Sequence, residues 1–272
     1  MSLKIASWNI NSVRLRAPSV ARFLTNWAPD VLTLQETKCP EGQFPASVFA
    51  DCGYPYYAER GQSGYHGVAI VSKIPFTEQN SRQFCGKDDA RHISVKLDIK
   101  NPVTVHNFYV PAGGDTPDPE QNEKFEHKLA FLNEMENWLT LDMLKTDGSS
   151  VLTGDLNIAP HENDVWSHKQ LLKVVSHTPV EVEKLAAVCK AGQWDDVLRR
   201  FAEDDEKLAS WWSYRSRDWK KSNRGRRLDH IWLDQSLSPH CSETEIISET
   251  RSWERPSDHA PVMVTLGHRT FK

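Results

Sequence analysis

Lys4-Ile5-Ala6-Ser7-Trp8-Asn9 is a short β-prone run that ends in an amide, and it predicts an opening strand. Val20, Phe23, Leu24 and Trp27 then recur at i, i+3, i+4 and i+7, the apolar stripe of an amphipathic helix, and Pro29-Asp30 stops that helix. Val31 to Glu36 is nearly all apolar. A solvated strand would alternate polar and apolar positions, so this one belongs in a sheet covered on at least one face. Further strands are predicted at Pro55 to Glu59, Gly67 to Ser72, His92 to Leu97 and Val103 to Val110, with turns at Gly61 to Gly64 and Asn101-Pro102, as for antiparallel neighbours joined by hairpins. Phe125, Leu129, Leu132, Met135 and Leu139 mark a long helix, and Lys169 to Phe201 reads as helical with Pro179 in a first turn. Leu228 to Leu233 and Val262 to Leu266 complete the strands. Long apolar strands mixed with helices, without an internal repeat, predict a layered α/β domain: two sheets packed face to face with helices outside.

Between the two long helical patterns lies Val151-Leu152-Thr153-Gly154-Asp155-Leu156-Asn157. An apolar strand stops at a glycine and presents a carboxylate and an amide two residues apart, which point the same way if the segment stays extended. Hard cations such as magnesium suit that pair. Alone, a Gly-Asp turn after a strand is an ordinary structural device. The other strand ends add weight: Asn9, Glu36, Tyr109, Asp155, Asn157, Asp229 and Asp258-His259 are acids, amides, a phenol and an imidazole. If they share one edge, they form a cleft whose carboxylates repel one another unless a cation is held there. Asp229 is the most telling, because it interrupts the apolar run Leu228 to Leu233, where a carboxylate costs stability unless it has a partner.

Length and composition narrow the setting. The 272 residues carry no Pro/Gly/Ser-rich linker, so one domain over 1–272 is expected, and 39% hydrophobic with 26% charged residues suits a globular chain with a sizeable core. No apolar run is long enough for a membrane span, and Met1-Ser2-Leu3-Lys4 leads into a strand instead of a signal peptide. Cys39, Cys52, Cys85, Cys189 and Cys241 are odd in number and scattered, which argues against a disulfide framework or zinc site and for a reducing cytoplasm. The net charge of −4 excludes a uniformly basic coat protein, so contact with a polyanion must be local. It is local: from Tyr214 to Arg227, seven basic residues (Arg215, Arg217, Lys220, Lys221, Arg224, Arg226 and Arg227) face one acid, Asp218, with Trp211, Trp212, Tyr214 and Trp219 interleaved. Arg217, Lys220 and Arg224 are candidate polyanion contacts from this stretch, and Arg91 and Lys124 are candidates for phosphate contacts elsewhere. The histidines other than His259 show no metal spacing.

Trp8-Asn9-Ile10-Asn11, Leu34-Gln35-Glu36-Thr37-Lys38, Tyr109-Val110-Pro111, Gly154-Asp155-Leu156-Asn157, Arg227-Leu228-Asp229-His230 and Ser257-Asp258-His259-Ala260-Pro261 resemble, in order, the motifs of the endonuclease/exonuclease/phosphatase superfamily, most closely its exonuclease III and apurinic/apyrimidinic endonuclease branch. The resemblance implies a four-layered α/β sandwich with the site at one edge of two mixed sheets. It implies a metal-dependent DNA repair nuclease, working as a monomer on double-stranded DNA with abasic sites or 3′ ends, with Mg2+ as cofactor and Mn2+ as a substitute. Asn9, Glu36, Asp155, Asn157, Asp258 and His259 are the implied metal ligands. Asp155 would orient or deprotonate the attacking water and Asn157 would stabilise the transition state. His259 is the other candidate base or a donor to the phosphate, with Asp229 fixing its tautomer, and Tyr109, if a metal lowers its pKa, would assist the leaving group. Trp212 occupies the position of an aromatic wall for a base-less sugar. The segments 158–175 and 113–120 depart from the family's pattern, which leaves open the balance between abasic incision and 3′ resection. A lipid- or inositol-phosphate phosphoesterase, a secreted deoxyribonuclease and a non-catalytic nucleic-acid-binding module are the competing readings. The cationic, tryptophan-rich stretch, the cysteine pattern and the intact set of acids argue against them in turn.

Overall fold

The computed structural model describes residues 2–141, 148–216 and 218–267. Twelve strands among them form two six-stranded sheets. One sheet is built from β1 (Leu3–Asn9), β2 (Val31–Gln35), β3 (Tyr56–Arg60), β4 (Val68–Ser72), β11 (Cys241–Ile246) and β12 (Val262–Leu266), in the order β11-β12-β1-β2-β4-β3. The other is built from β5 (Phe76–Asn80), β6 (His92–Leu97), β7 (Val103–Tyr109), β8 (Ser149–Asp155), β9 (Asp195–Asp196) and β10 (Asp229–Leu233), in the order β5-β6-β7-β8-β10-β9.

Each sheet is centred on one parallel pair with antiparallel strands on both sides. β1 runs parallel to β2 through helix α1 (Val13–Trp27), and β7 runs parallel to β8 through helix α3 (Glu123–Leu141). Parallel neighbours need such a crossover, and the helices supply the outer layers. The period-two pattern of the strands does the rest. Ile5, Val31, Val68, Ile70, Val105, Val151, Ile231 and Val264 point between the sheets. Ala6, Trp8, Leu32, Leu34, Ala69 and Val71 point the other way, into a core with Val20, Phe23 and Leu24 of α1. Phe108, Leu152 and Trp232 pack with Phe131, Leu132 and Met135 of α3 and Leu185 of α5 (Pro179–Ala191). The result is the expected four-layered sandwich.

The differences from the sequence reading are at edges and ends. β5 and β11 were not expected, because Thr77 to Asn80 are exposed and Cys241 to Ile246 is rich in Ser, Thr and Glu; both are edge strands with one flank in water. The expected helix from Lys169 to Phe201 is broken into α4 (His168–Leu171), α5 and α6 (Val197–Arg200), because Ser176 takes φ +86° and β9 intervenes. Pro179 does open α5, behind a Thr178–Glu181 capping box. A last short helix, α7 (Trp219–Ser222), lies in the cationic stretch. The five cysteines are unpaired, and no helix among the described residues is long and apolar enough to cross a membrane.

Candidate active site

The layer between the sheets is apolar at one end and polar at the other. Following the same alternation toward the carboxyl ends of the central strands, Ile5 gives way to Ser7 and Asn9, Val31 to Thr33 and Gln35, Val105 to Asn107 and Tyr109, and Val151 to Thr153 and Asp155. These polar groups are buried, and apart from Gln35 Oε1 they bond to one another and to nearby backbone. Gln35 donates to Asn107 Oδ1 (2.7 Å) and Ser7 Oγ (3.0 Å), Asn107 donates to the carbonyls of Leu34 and Ala69, and the Thr33 and Thr153 hydroxyls meet at 2.8 Å. A connected network of this kind fixes one relative position of the two sheets, since any slip leaves buried polar atoms unpaired.

At its end the network opens into an acidic cleft. Tyr109, Asp155 and Asp229 stand in register across β7, β8 and β10. The first sheet supplies Asn9 and, one residue past β2, Glu36. Asn9 Nδ2 bridges the sheets by donating to Glu36 Oε1 (2.9 Å) and Asp155 Oδ2 (2.8 Å), and the Tyr109 hydroxyl donates to Glu36 Oε1 at 2.9 Å. His259, three residues before β12, donates from Nδ1 to Asp229 Oδ2 at 2.8 Å and turns Nε2 toward Asp155 Oδ2 at 3.8 Å. The carboxylate buried in the β10 run therefore has its partner. Ligand atoms of Glu36, Asp155 and His259 all lie within 4.8 Å of one another.

The backbone beyond each strand is bent to aim these groups. Glu36 has φ +48° and Asn157 φ +54°. The i, i+2 reading of Asp155 and Asn157 is thus corrected. The strand ends at Asp155, Asn157 turns back in the left-handed region, its N–H donates to Asp155 Oδ1 (2.9 Å) and its amide to Val110 O (2.9 Å) and Asp155 Oδ2 (3.2 Å). Lys128, fully buried on α3 and paired with Glu181 of α5 at 2.5 Å, donates to the Asn157 carbonyl at 2.8 Å and holds that turn.

The two carboxylates differ in electrostatic setting. Burial pushes Asp155 up to about 7, with the Asp229 and Glu36 charges adding to it against the opposing pull of His259 and Asn9. Burial acts upward on Glu36 too, but the Lys38 ammonium 2.8 Å away and the Asn9 amide outweigh it and hold Glu36 below the usual carboxylate range. His259 is raised to about 10 against its own burial, by Asp229, Asp155 and Asp258. Tyr109 is pushed well above an ordinary phenol by burial and by the Glu36 and Asp155 charges, so it sits here as a neutral donor. Carboxylate oxygens of Glu36 and Asp155 in a buried excess of negative charge, with Asp229 Oδ1 left without a hydrogen-bond partner, fit a hard divalent cation, and the charged His259 stands beside them as a donor.

Not every residue predicted for the site reaches that trio. Asp258 spends one oxygen on Asn11 Nδ2 and the other on Trp211 Nε1, both at 3.0 Å, and stands beside the trio. Asn9 turns its N–H donors, not its oxygen, toward the acids. Arg91 is only 7% exposed; its guanidinium donates to Asp89 and the Tyr109 carbonyl and lies 5.0 Å from the Tyr109 ring centre, so it braces Tyr109. Trp212, expected to front the site, is 4% exposed and lines a separate cavity of about 360 Å³ with Trp166 and Leu208; the aromatic that fronts the site is its neighbour Trp211, paired in backbone with His259. Lys124, Lys220 and Arg224 are exposed, Arg224 over Trp166, and Arg217 lies outside the described residues. Arg227 does not belong to the cationic surface at all: it is fully buried between Asp164 and Asp196 and pins the 158–164 segment to β10. Lys38, Asn11, Lys128 and Trp211 were not assigned roles from sequence. Lys38 and Asn11 lie inside quoted motifs, whereas nothing local marks Lys128.

Two sheets with crossover helices outside and a buried polar edge that gathers acids and one imidazole define an α/β enzyme scaffold built around an ion-holding cleft. Residues 6–259 match the Endonuclease/Exonuclease/phosphatase family, and the chain belongs to that family. It is 29% identical to exodeoxyribonuclease III of Haemophilus influenzae over 96% of this chain and 98% of that one, and 30% identical to the DNA repair nuclease APEX1 of Danio rerio over 97% and 82%. Among solved structures it is similar to an AP endonuclease from Archaeoglobus fulgidus (TM-score 0.89, 30% identity, 98% of this chain and 100% of that one) and to a 3′ phosphatase, NExo, from Neisseria bound to a product DNA hairpin (TM-score 0.88, 29%, 98% and 100%).

Proposed function

We propose that this protein is a Mg2+-dependent DNA repair nuclease that hydrolyses phosphodiester or phosphomonoester bonds beside abasic sites or at 3′ ends. The observation that carries this reading is the meeting of Glu36, Asp155 and His259 at the shared edge of two sheets, with Asp229 behind the imidazole. A divalent ion held by Glu36, beside Asp155, would screen the phosphate charge and the leaving oxygen. Asp155, with its raised pKa, takes the proton of the attacking water. Asp229 holds His259 as an imidazolium whose free Nε2–H donates to a phosphate oxygen. Asn157, whose amide donates to Asp155 Oδ2 and to the Val110 carbonyl, holds the Asp155 carboxylate in place in the cleft. Tyr109, whose hydroxyl donates to Glu36 Oε1, holds that carboxylate toward the ion. The exposed Lys220, Lys221 and Arg224 give the surface that meets the DNA backbone. The relatives are by name an exodeoxyribonuclease, a DNA repair nuclease, an AP endonuclease and a 3′ phosphatase, and the lipid- or inositol-phosphate reading finds no support among them.

Purified protein is incubated with three duplexes, one with an internal abasic site, one with a nick bearing a 3′-phosphate and one intact, each with Mg2+ and with chelator. Metal-dependent turnover of at least one DNA is the expected result. Turnover of none, with phosphate released from an inositol phosphate instead, would overturn it.

A further inference from the structure

The flank of the cleft beyond His259 is a short ladder of paired residues. His259 pairs with Trp211, Trp211 with Arg226, and Arg226 with Val165. Directly paired residues on neighbouring extended segments send their side chains to one face, about 5 Å apart per step. Trp211 and Arg226 therefore continue the face that carries His259, and the Arg226 guanidinium lies 5.3 Å from the centre of the Trp211 ring. From there it crosses to the opposite wall. Arg226 Nη1 donates to the Val175 carbonyl (2.9 Å) and to Ser176 Oγ (2.7 Å). That wall is itself tied to the site, because the Ser176 carbonyl accepts from Ala159 N at 2.8 Å, two residues after Asn157, and Ser176 N donates to both oxygens of Glu181, the partner of Lys128.

Arg226 thus bars the space between the aromatic that fronts the site and the segment that follows Asn157. A deoxyribose without its base, turned out of a continuous duplex, would have to lodge against an aromatic face beside the reacting phosphate, and here that face is already covered by a cation. A 3′ terminus makes no such demand. It needs room only for its phosphate over Glu36, Asp155 and His259, two ladder steps away from Arg226. Buried Arg226 Nε has no hydrogen-bond partner and is left as a donor on this flank.

We infer that Arg226 is a specificity-determining residue that biases this site toward 3′-terminal phosphates and against internal abasic sites. The inference rests on the DNA-repair reading above and says which of its substrates is preferred. Wild type, Arg226→Ala and Ser176→Gly are compared in single-turnover reactions with Mg2+ on one duplex sequence, prepared with an internal abasic analogue or with a nick carrying a 3′-phosphate. Wild type should remove the 3′-phosphate faster than it incises the abasic analogue. R226A should raise the ratio of abasic incision to phosphate removal by about tenfold, the scale on which one pocket contact discriminates substrates. If thermal melting shows R226A to be unfolded, S176G decides: glycine suits the positive φ while removing the Ser176 hydroxyl, one of the guanidinium's two anchors, and it should move the ratio the same way. A ratio that stays within about threefold of wild type, or a wild type that prefers the abasic duplex, overturns this inference and leaves the repair reading standing. A wild type that acts on neither duplex overturns both.

Discussion

Glu36 and Asp155 sit at matching places in the two halves of the molecule, each at the carboxyl end of the second strand of a parallel pair, yet their surroundings push them in opposite directions. The first-sheet carboxylate is partly open, paired with Lys38 and kept charged. Its counterpart in the second sheet is 1% exposed, stands across from Asp229 in the β8–β10 ladder and is raised to about 7. One carboxylate suited to hold a cation and one suited to exchange a proton near neutrality make a division of labour that burial and neighbours create from chemically similar side chains. A third carboxylate shows the limit of burial as a cause. Asp196 faces the fully buried Arg227 and, despite desolvation, is pulled far below the ordinary range by that guanidinium. What sets Asp155 apart is that it is buried with other acids and lacks a guanidinium partner of its own.

The contrast can be broken most severely at Asp155. D155N should lower the single-turnover rate by about a thousandfold, roughly 4 kcal/mol, while DNA affinity by filter binding stays within a few fold of wild type; a loss under about tenfold would remove Asp155 from the proton-transfer role. D196N should act on stability, costing about 1–3 kcal/mol in denaturant unfolding because the buried Arg227 guanidinium loses one of its two carboxylate partners and keeps Asp164. Its sign with pH follows from the depressed pKa. The Asp196 contribution is fully present above the ordinary aspartate pKa of about 4 and is lost as pH falls below it, so the stability gap between D196N and wild type should close in acid; a constant gap down to about pH 2 would contradict the pairing. E36Q should be milder in turnover and show mainly as a rise of about 10- to 100-fold in the Mg2+ concentration for half-maximal rate, whereas an unchanged metal requirement would mean Glu36 is no ligand. The smallest effect is expected at the surface. K220A should weaken DNA binding by a few fold at low salt and reduce the steepness of its salt dependence by about one ion, and wild-type affinity that is flat between low and physiological salt would refute a backbone-contacting surface there.

Most of the fold was legible because burial imposes a period. Strands β2, β4, β10 and β12 carry mostly apolar runs, β1, β7 and β8 carry apolar positions that lead to polar ends, and α1 and α3 carry their stripes, so pattern alone located them. β5 and β11 escaped it because an edge strand has polar neighbours on its open side. The acids and amides of the cleft were legible for a related reason: a polar residue at the end of an apolar strand is costly unless something else needs it. The 211–227 stretch was misjudged in detail. Composition counted seven cations, but Arg227 is consumed by Asp164 and Asp196 and Arg226 by Val175 and Ser176, residues about 30 to 65 positions away in the chain.

By itself, then, the order of residues determined the alternation of the strands, the crossover helices, and which strand ends bear acids, amides and an imidazole, because each of these is a local pattern of apolar and polar positions. Only the tertiary structure decided that Glu36 stays charged while Asp155 is raised, that Trp211 and not Trp212 fronts the cleft, and that Arg226 bars its flank. Those outcomes depend on desolvation and on partners brought within a few ångströms from distant parts of the chain, and no local pattern encodes such distances.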